Sequence, residues 1–309
     1  MELHKELTIS GDQAGKRLDL VVSLLDNNVS RSAVKRAIDA GELQVNGVIE
    51  YRPHYKVQEG DQISFTVPEH KGTDRIVPQD IPLDIVYEDE DLLVINKPSG
   101  MVVHPATGNW EGTLMNAILF HYRDLADVGS RVRSGLIHRL DKDTSGLVMI
   151  GKTNKGLWYY SKLFAERNVS KTYIFVTAAD ARARIGRQTE RSSFIGRNPV
   201  NRKKMAEVSA AKGRKAETVF RVRGSYHLDG QKVWAVEASP HTGRTHQIRV
   251  HASALGIPVL GDPVYGKAGS YKRLMLHAWR LSLTLLDGTD TRFTAPLPEE
   301  FKTEDAWNA

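Results

Sequence analysis

SGLIHRLDKDTSGLVMIGKT, residues 134–153, sets two apolar runs, GLI and GLVMI, on either side of a polar knot of His138, Arg139, Asp141, Lys142, Asp143, Thr144 and Ser145. Apolar runs of this length read as buried strands. Charged groups between buried strands are costly unless they are paired, so the knot needs a reason. Similar short runs recur around it: IVYED, LLVINK, KTYIFVTA, ETVFRVRG, VWAVEAS and LSLTLL. Helical stretches such as NKGLWYYSKLFAER and RTHQIRVHASALG lie between some of them. Strands outnumber helices and do not alternate with them regularly. That predicts an α+β catalytic-size domain over 83–309, with a mixed, largely antiparallel sheet and flanking helices and loops.

Upstream, 1–68 reads as a small α/β module. RLDLVVSLLD suggests a short amphipathic helix, and SRSAVKRAIDAG a second one with a Ser N-cap and a stop at Gly41. LQVNGVIEY carries Asn46-Gly47, a strong hairpin signal, and KVQEGDQISFTV adds a turn and a strand. Residues 69–82, rich in proline and charge without periodicity, read as a linker.

The 309 residues include 40% hydrophobic ones, enough for a sizeable core, and no cysteine. The missing thiols exclude disulfides, iron–sulfur clusters and thiolate zinc sites, and fit a reducing compartment. MELHKELTISGDQ has no apolar core of a secretory signal, and no run approaches the roughly 18 apolar residues of a membrane span. A cytoplasmic protein is expected, with no membrane partner. Net charge is +6, but residues 181–224 hold thirteen Lys or Arg against three Glu, a local net of +10. A patch of one sign this strong points to a polyanion; a solvated basic loop is the bland alternative.

Three generic readings compete for DKDTSG. Asp141, Asp143, Ser145 and Gly146 match the opening of a calcium loop, but its twelfth position, which needs a bidentate Glu, is Lys152. A pair of carboxylates for glycosidic acid–base work needs one of them protonated. Neighbouring Arg139 and Lys142 favour the ionised form instead, which suits a single ionised Asp. A turn held by Asp, Thr and Ser side chains suits residues 143–146 but leaves His138, Arg139 and Asp141 unexplained. His241, His246 and His251 suggest metal at first sight. Spacing by five puts successive pairs roughly 500° apart on a helix, off a common face. His246 and His251 read as structural or phosphate-facing, and no metal site is expected.

HRLDKDTSGL at 138–147 resembles the signature of the RluA-type pseudouridine synthases. IPLDIVYEDEDLLVINKPSGMVVHP (81–105), SKTYIFV (170–176), RKKMAEV with GRKAETVFRV (202–222) and HTGRTHQIRVHASALGIPVLGDPVYG (241–266) resemble further blocks in the same order. The N-terminal RLD, SRS, GELQVNG and EGDQISF resemble the RNA-binding domain of the small-subunit ribosomal protein S-four family. The combination is most similar to the branch acting on large-subunit ribosomal RNA. The resemblance implies isomerisation of uridine to pseudouridine within RNA, without redox cofactor, nucleotide or metal.

By the same match Asp141 is the catalytic carboxylate, Arg249 its ion-pair partner and Tyr173 the aromatic that stacks on the uracil. Arg139 takes the place vacated by the extruded base. From local pattern alone, Arg249 is a surface residue flanking the stripe Ile248, Ala252, Leu255, and Tyr173 a half-buried strand aromatic. Arg202, Lys203, Lys204 and Lys215, with Arg197, Lys212 and Arg214, are expected to meet phosphates, as are Arg31, Lys35 and Arg36 of the module helix. Lys97 and Pro98 open a loop in which a structural turn and a phosphate contact are both open. The expected partner is RNA, ribosomal before transfer RNA, and a monomer is the default. Two rivals stand beside this: a non-catalytic ribosome assembly factor, which would lack Asp141, Tyr173 or Arg249, and an N-glycosidase, which would release free uracil.

Overall fold

The computed structural model describes residues 2–25, 31–68, 76–106, 109–127, 135–202, 204–267 and 269–301. The chain divides into two compact units, the second starting at Ile76.

The first unit contains β1 (Glu2–Thr8), α1 (Leu18–Leu25), α2 (Arg31–Asp39), β2 (Leu43–Val45), β3 (Val48–Ile49) and β4 (Gln62–Pro68). The strands form one sheet in the order β1-β4-β2-β3. Leu18, Val21 and Val22 of α1, and Val34, Ala37 and Ile38 of α2, are buried at helical spacing. They pack with Leu43, Ile63 and Phe65 from the sheet. Asn46 (φ 52°) and Gly47 (φ 79°) both lie in the left-handed region, as a two-residue hairpin turn demands.

The second unit contains β5 (Ile85–Glu88), β6 (Leu92–Lys97), α3 (Leu114–His121), β7 (Ser145–Gly151), α4 (Asn154–Glu166), β8 (Ser170–Thr177), α5 (Ala181–Ile185), β9 (Gln188–Arg197), β10 (Met205–Glu207), β11 (Arg214–Leu228), β12 (Gln231–Pro240), α6 (Gln247–Ala254), β13 (Leu276–Thr284) and β14 (Asp290–Thr294). Its sheet runs β10-β9-β11-β12-β8-β13-β7-β6-β5, with β14 on β13. The β13–β7 pair is parallel and the other pairs are antiparallel.

Strand β7 is buried at every position because both of its faces are covered. Val148 and Ile150 join a core with α3, while Leu147 and Met149 join another with Tyr160 of α4. A third core gathers Ile174, Phe175 and Val176 of β8 with Ala181 of α5 and Ile248 and Ala252 of α6.

The structure corrects several expectations. The GLI run is no strand; it makes one isolated bridge, Leu136 to Ile150. The turn spans 141–144, closed by Thr144 N–H on the Asp141 carbonyl (3.2 Å), while Ser145 and Gly146 already belong to β7. The basic segment, for which a solvated loop was the bland alternative, is built on β9, β10 and most of β11. Within the span read as linker, residues 76–82 are held by hydrogen bonds: Gln79 N–H to Asn116 O (3.0 Å) and Asn116 Nδ2 to Val77 O (2.7 Å). Residues 69–75 lie outside the described residues.

Candidate active site

The turn 141–144 is held from behind by the loop after β6. Lys97 is fully buried, and its ammonium donates to the carbonyls of Pro98 (2.8 Å), Met101 (2.8 Å) and Lys142 (3.0 Å). Ser99 Oγ donates to Asp143 O (2.7 Å), and Gly100 N–H to Lys142 O (3.0 Å). Lys97 is therefore structural, and the phosphate alternative falls away. Burial draws its pKa down to about 7, with Asp143 and Asp141 pulling the other way. In front, Gly146 (φ 110°) crosses β13 so closely that a Cβ there would stand 2.2 Å from the Ala278 carbonyl oxygen. Backbone contacts on both sides fix the Asp141 Cα. His138 is fixed as well: it accepts from Met149 N–H (3.0 Å) and stacks on Phe164 at 4.4 Å. Burial and nearby Lys171 lower its pKa to about 3, so it is a neutral packing group.

Arg249 comes from α6 and is buried, with 5% exposure. Its fork is committed to Asp262, Nε to Oδ2 and Nη2 to Oδ1, both 2.8 Å. Nη1 faces Asp141 Oδ2 at 3.4 Å. The expected ion pair is thus a bridge, with the strong bidentate end on Asp262 and the long end on Asp141. Asp262 is fully buried and also accepts from Val264 N–H (2.8 Å) and Tyr265 N–H (3.0 Å). Its burial alone would raise its pKa; Arg249 and the two amides override this and leave it lowered. Arg249 is likewise held firmly charged, since Asp262 and Asp141 outweigh its desolvation.

His246 sits just before α6 in a left-handed conformation (φ 57°). Its Nε2 is 3.7 Å from Asp141 Oδ2, and its Nδ1 is 2.8 Å from the Tyr265 hydroxyl. That hydroxyl accepts from Met205 N–H (2.9 Å), so its own proton is available to Nδ1. Nε2 then carries the N–H that faces Asp141. Burial lowers the His246 pKa; Asp141 opposes this and Arg249 reinforces it. His251, in contrast, is buried between Ser193 Oγ (2.9 Å) and Thr218 Oγ1 (3.0 Å) and is structural.

Asp141, Tyr173, Arg249 and Arg139 line one cleft of about 580 Å³. Tyr173 projects from β8, half-buried, and its hydroxyl is held protonated by burial and by the Asp141 charge. Arg139 is exposed. Arg167, Lys171 and Arg244 line the same cleft. Burial lowers the pKa of Lys171 and of Arg244, and Arg167 lowers both further. Such mutual repulsion makes this stretch of wall a ready anion site. These three, with Asp262 and Tyr265, were not singled out from sequence, and His246 was read only as structural or phosphate-facing. The HTGRTHQIR block contained the signal for Arg244 and His246; a lone acid in the apolar stretch GIPVLGDPVYG was the signal for Asp262.

The remaining expected RNA contacts are dispersed. Arg202 is exposed. Lys204 is spent on the Val264 carbonyl (2.8 Å), and Lys215 pairs with Glu217 (2.7 Å). Lys35 is exposed and pairs with Asp39. Lys203 and the side chains of Arg31 and Arg36 lie outside the described residues. Glu207 takes Arg191, and Glu237 takes Arg223 and Arg221, so part of the local excess is neutralised internally. Among the described residues no group of three or more His, Asp or Glu is placed to hold a metal, and no helix is long and apolar enough to cross a membrane.

The RNA pseudouridylate synthase family model matches residues 91–254, and the S4 domain model residues 16–63. The ribosomal large subunit pseudouridine synthase D of Zymomonas mobilis is 35% identical over 96% of this chain and 95% of its own length. The protein of the same name from Escherichia coli is 37% identical over 95% of this chain and 90% of its own. Among solved structures, human RNA pseudouridylate synthase domain containing 1 superposes with a TM-score of 0.59 at 28% identity, covering 71% of this chain and 85% of that one.

Proposed function

The chain belongs to the RNA pseudouridylate synthase family, and from that premise we propose that it isomerises specific uridines of large-subunit ribosomal RNA with Asp141 as its catalytic carboxylate. The reaction breaks the N-glycosidic bond, turns the uracil and joins its carbon five to the ribose. Nothing is added or removed, so the protein must supply a held base or nucleophile, a place for the extruded base and contacts for the phosphates. The observation that carries the residue assignment is the Arg249 bridge. A cation locked by Asp262 faces Asp141 across 3.4 Å, next to Tyr173 in a cleft.

The local geometry supports these roles. Asp141 is partly exposed and faces Arg249 without being chelated by it, so its oxygens remain free to react. Extruding a stacked uridine costs a few kcal/mol. Arg139, exposed at the cleft, fills the vacated place, and the Tyr173 ring receives the base. Its protonated hydroxyl lies beside the reacting carbon. Arg167, Lys171 and Arg244 take the phosphates flanking the target, and the S4-type module, with Arg31, Lys35 and Arg36, takes RNA further along. The relatives named for the ribosomal large subunit support ribosomal RNA as substrate. The same proposal assigns the protein to the cytoplasm and to action as a monomer.

Carbodiimide adduct mapping with primer extension on ribosomal RNA tests this. Cells lacking the protein, cells with it restored and cells carrying Asp141→Asn are compared. Specific stops should vanish on deletion, return with wild type and stay absent with the variant. Stops lost only from transfer RNA would overturn the substrate; full restoration by Asp141→Asn would overturn the catalytic residue.

A further inference from the structure

Strand β8 shows the catalytic cleft one face and a second pocket the other. Lys171 and Tyr173 line the cleft, while Ser170 and Thr172 line a pocket of about 270 Å³. Alternate side chains of a strand point to opposite faces. The second pocket is therefore built on the reverse of the sheet, outside the site described above.

Its other walls are mostly guanidinium. Arg223 and Glu237 enter from β11 and β12, Arg280 and Ser282 from β13, and Arg292 from β14. Leu276 lines the catalytic cleft, and an unbroken strand would put Arg280, four residues on, on that same face. A register shift between Ala278 and Arg280 turns it to the reverse face instead.

The charges do not balance. Glu237 is taken up by Arg223, with Nε at 3.0 Å from Oε2, and by Arg221 at 3.6 Å. Arg280 lies 3.4 Å over the Trp279 ring, and its Nε is buried with no hydrogen-bond partner. Arg292 is exposed, with Nε 3.3 Å from Ser282 Oγ. Neither Arg280 nor Arg292 has an ion-pair partner among the described residues. Burial lowers the Arg280 pKa, Arg292 lowers it further, Glu237 opposes this and Arg223 adds to it. Three arginines against one Glu, two of them without an ion-pair partner, share a concave site with three hydroxyls and suit the tetrahedral oxygens of a phosphate.

We propose that this pocket binds a phosphodiester of the RNA substrate, on the face of the sheet opposite the catalytic cleft. The assignment rests on the RNA substrate of the proposed function and extends it. A folded RNA long enough to wrap the sheet edge meets both faces, whereas a stem-loop limited to the target uridine meets only the cleft. The exposed Arg292 leaves the pocket open for a passing backbone.

Arg280→Gln, Arg292→Gln and the double variant test it, with binding measured at several salt concentrations on a long structured ribosomal RNA fragment and on a minimal stem-loop. The double variant should bind the long RNA about tenfold more weakly. Its log–log salt slope should be smaller by roughly 0.7 to 0.9, the amount for one lost phosphate contact. Affinity and turnover on the stem-loop should match wild type. An unchanged affinity and slope on the long RNA overturns the proposal. Inorganic phosphate, titrated against Trp279 fluorescence, separates the sources. Saturable binding that needs Arg280, with long-RNA affinity unaffected, would make this a free-anion site and overturn the RNA assignment. Should the double variant not fold, the exposed Arg292→Gln carries the test alone, with a loss of about threefold expected and no loss overturning. Wild type that makes no pseudouridine would sink the proposed function, while the two binding series still read the pocket.

Discussion

Replacing Arg249 by Met should separate the stability of the site from its chemistry. The change removes two 2.8 Å bonds to Asp262 and the 3.4 Å contact to Asp141. It leaves Asp262, with no exposed surface, as a buried charge without its ion-pair partner, held only by two backbone amides. Breaking one side of such a pair costs about 3–5 kcal/mol. For a unit of this size that is a fall in Tm of roughly 6–20 °C. Adding Asp262→Asn removes the stranded charge yet keeps Oδ1, which accepts from Val264 and Tyr265 N–H. Arg249→Met/Asp262→Asn should therefore recover most of the lost stability while turnover stays depressed by about a hundredfold or more, because no fixed cation faces Asp141.

The pH dependence should change sign. In wild type the Asp262 pKa is lowered, so its contribution is present above the ordinary carboxylate value and is lost only as pH falls through the lower, folded value. In Arg249→Met the same carboxyl is desolvated without compensation and its pKa rises. The folded state then binds the extra proton, and the penalty is largest at neutral pH and shrinks toward pH 4. Urea denaturation of wild type, both singles and the double at several pH values, with pseudouridine formation assayed in parallel, reads every arm. A double no more stable than Arg249→Met, or a double that regains activity, would refute the reasoning.

Three further outcomes follow from the same geometry. Lys97 has its pKa lowered from 10.5 to about 7, so the unfolded chain holds more protons between those values and this group makes stability rise with pH across that window. Lys97→Met should abolish a rise of about 2 kcal/mol between pH 7 and pH 9 in urea midpoints; parallel pH slopes for the two proteins would contradict it. Gly146→Ala meets both an unfavourable φ of 110° and the Ala278 carbonyl at 2.2 Å. It should cost more than the roughly 1–3 kcal/mol of backbone strain alone and lose activity with it, as thermal denaturation and turnover will show. Tyr173→Phe keeps the ring and loses the hydroxyl, so turnover should fall at least about tenfold while RNA affinity stays within about twofold; an equal loss of affinity would assign the hydroxyl to binding.

What was legible in the chain depended on whether the deciding contact was local. Strand β7 was readable because burial on both faces leaves an unbroken apolar run, LVMI. Helix α2 was readable from its buried spacing and the stop at Gly41 (φ 75°). Helix α3 was not, because six of its eight residues, Leu114 to Leu119, are buried on all sides and its apolar run has no helical period. Strand β9 was hidden for the opposite reason: its burial alternates through Arg, Glu and Ser, which read as part of a charged loop. The thirteen cations of 181–224 were counted as one face, whereas strands send neighbours to opposite sides and Glu207 and Glu237 claim three of them.

The same distinction runs through the site. The polar knot announced itself, since acids among bases beside an apolar run are expensive without a use, and the family resemblance picked Asp141 out of it. Its supports did not announce themselves. Lys97 is a plain NKPSG lysine until the Lys142 carbonyl, 45 residues on, accepts its hydrogen bond. Asp262 looks like a turn residue until Arg249 closes on it. That closure matters for the chemistry. A guanidinium fork that gripped Asp141 with two short bonds would tie up the oxygens that must react. With the fork spent on Asp262, Arg249 becomes a fixed charge that stabilises Asp141 across one long contact, and His246 Nε2 at 3.7 Å adds a second loose one. Arg249 meets the carboxylate by position, not by chelation, so Asp262, the buried partner behind it, is what leaves the reactive oxygens free.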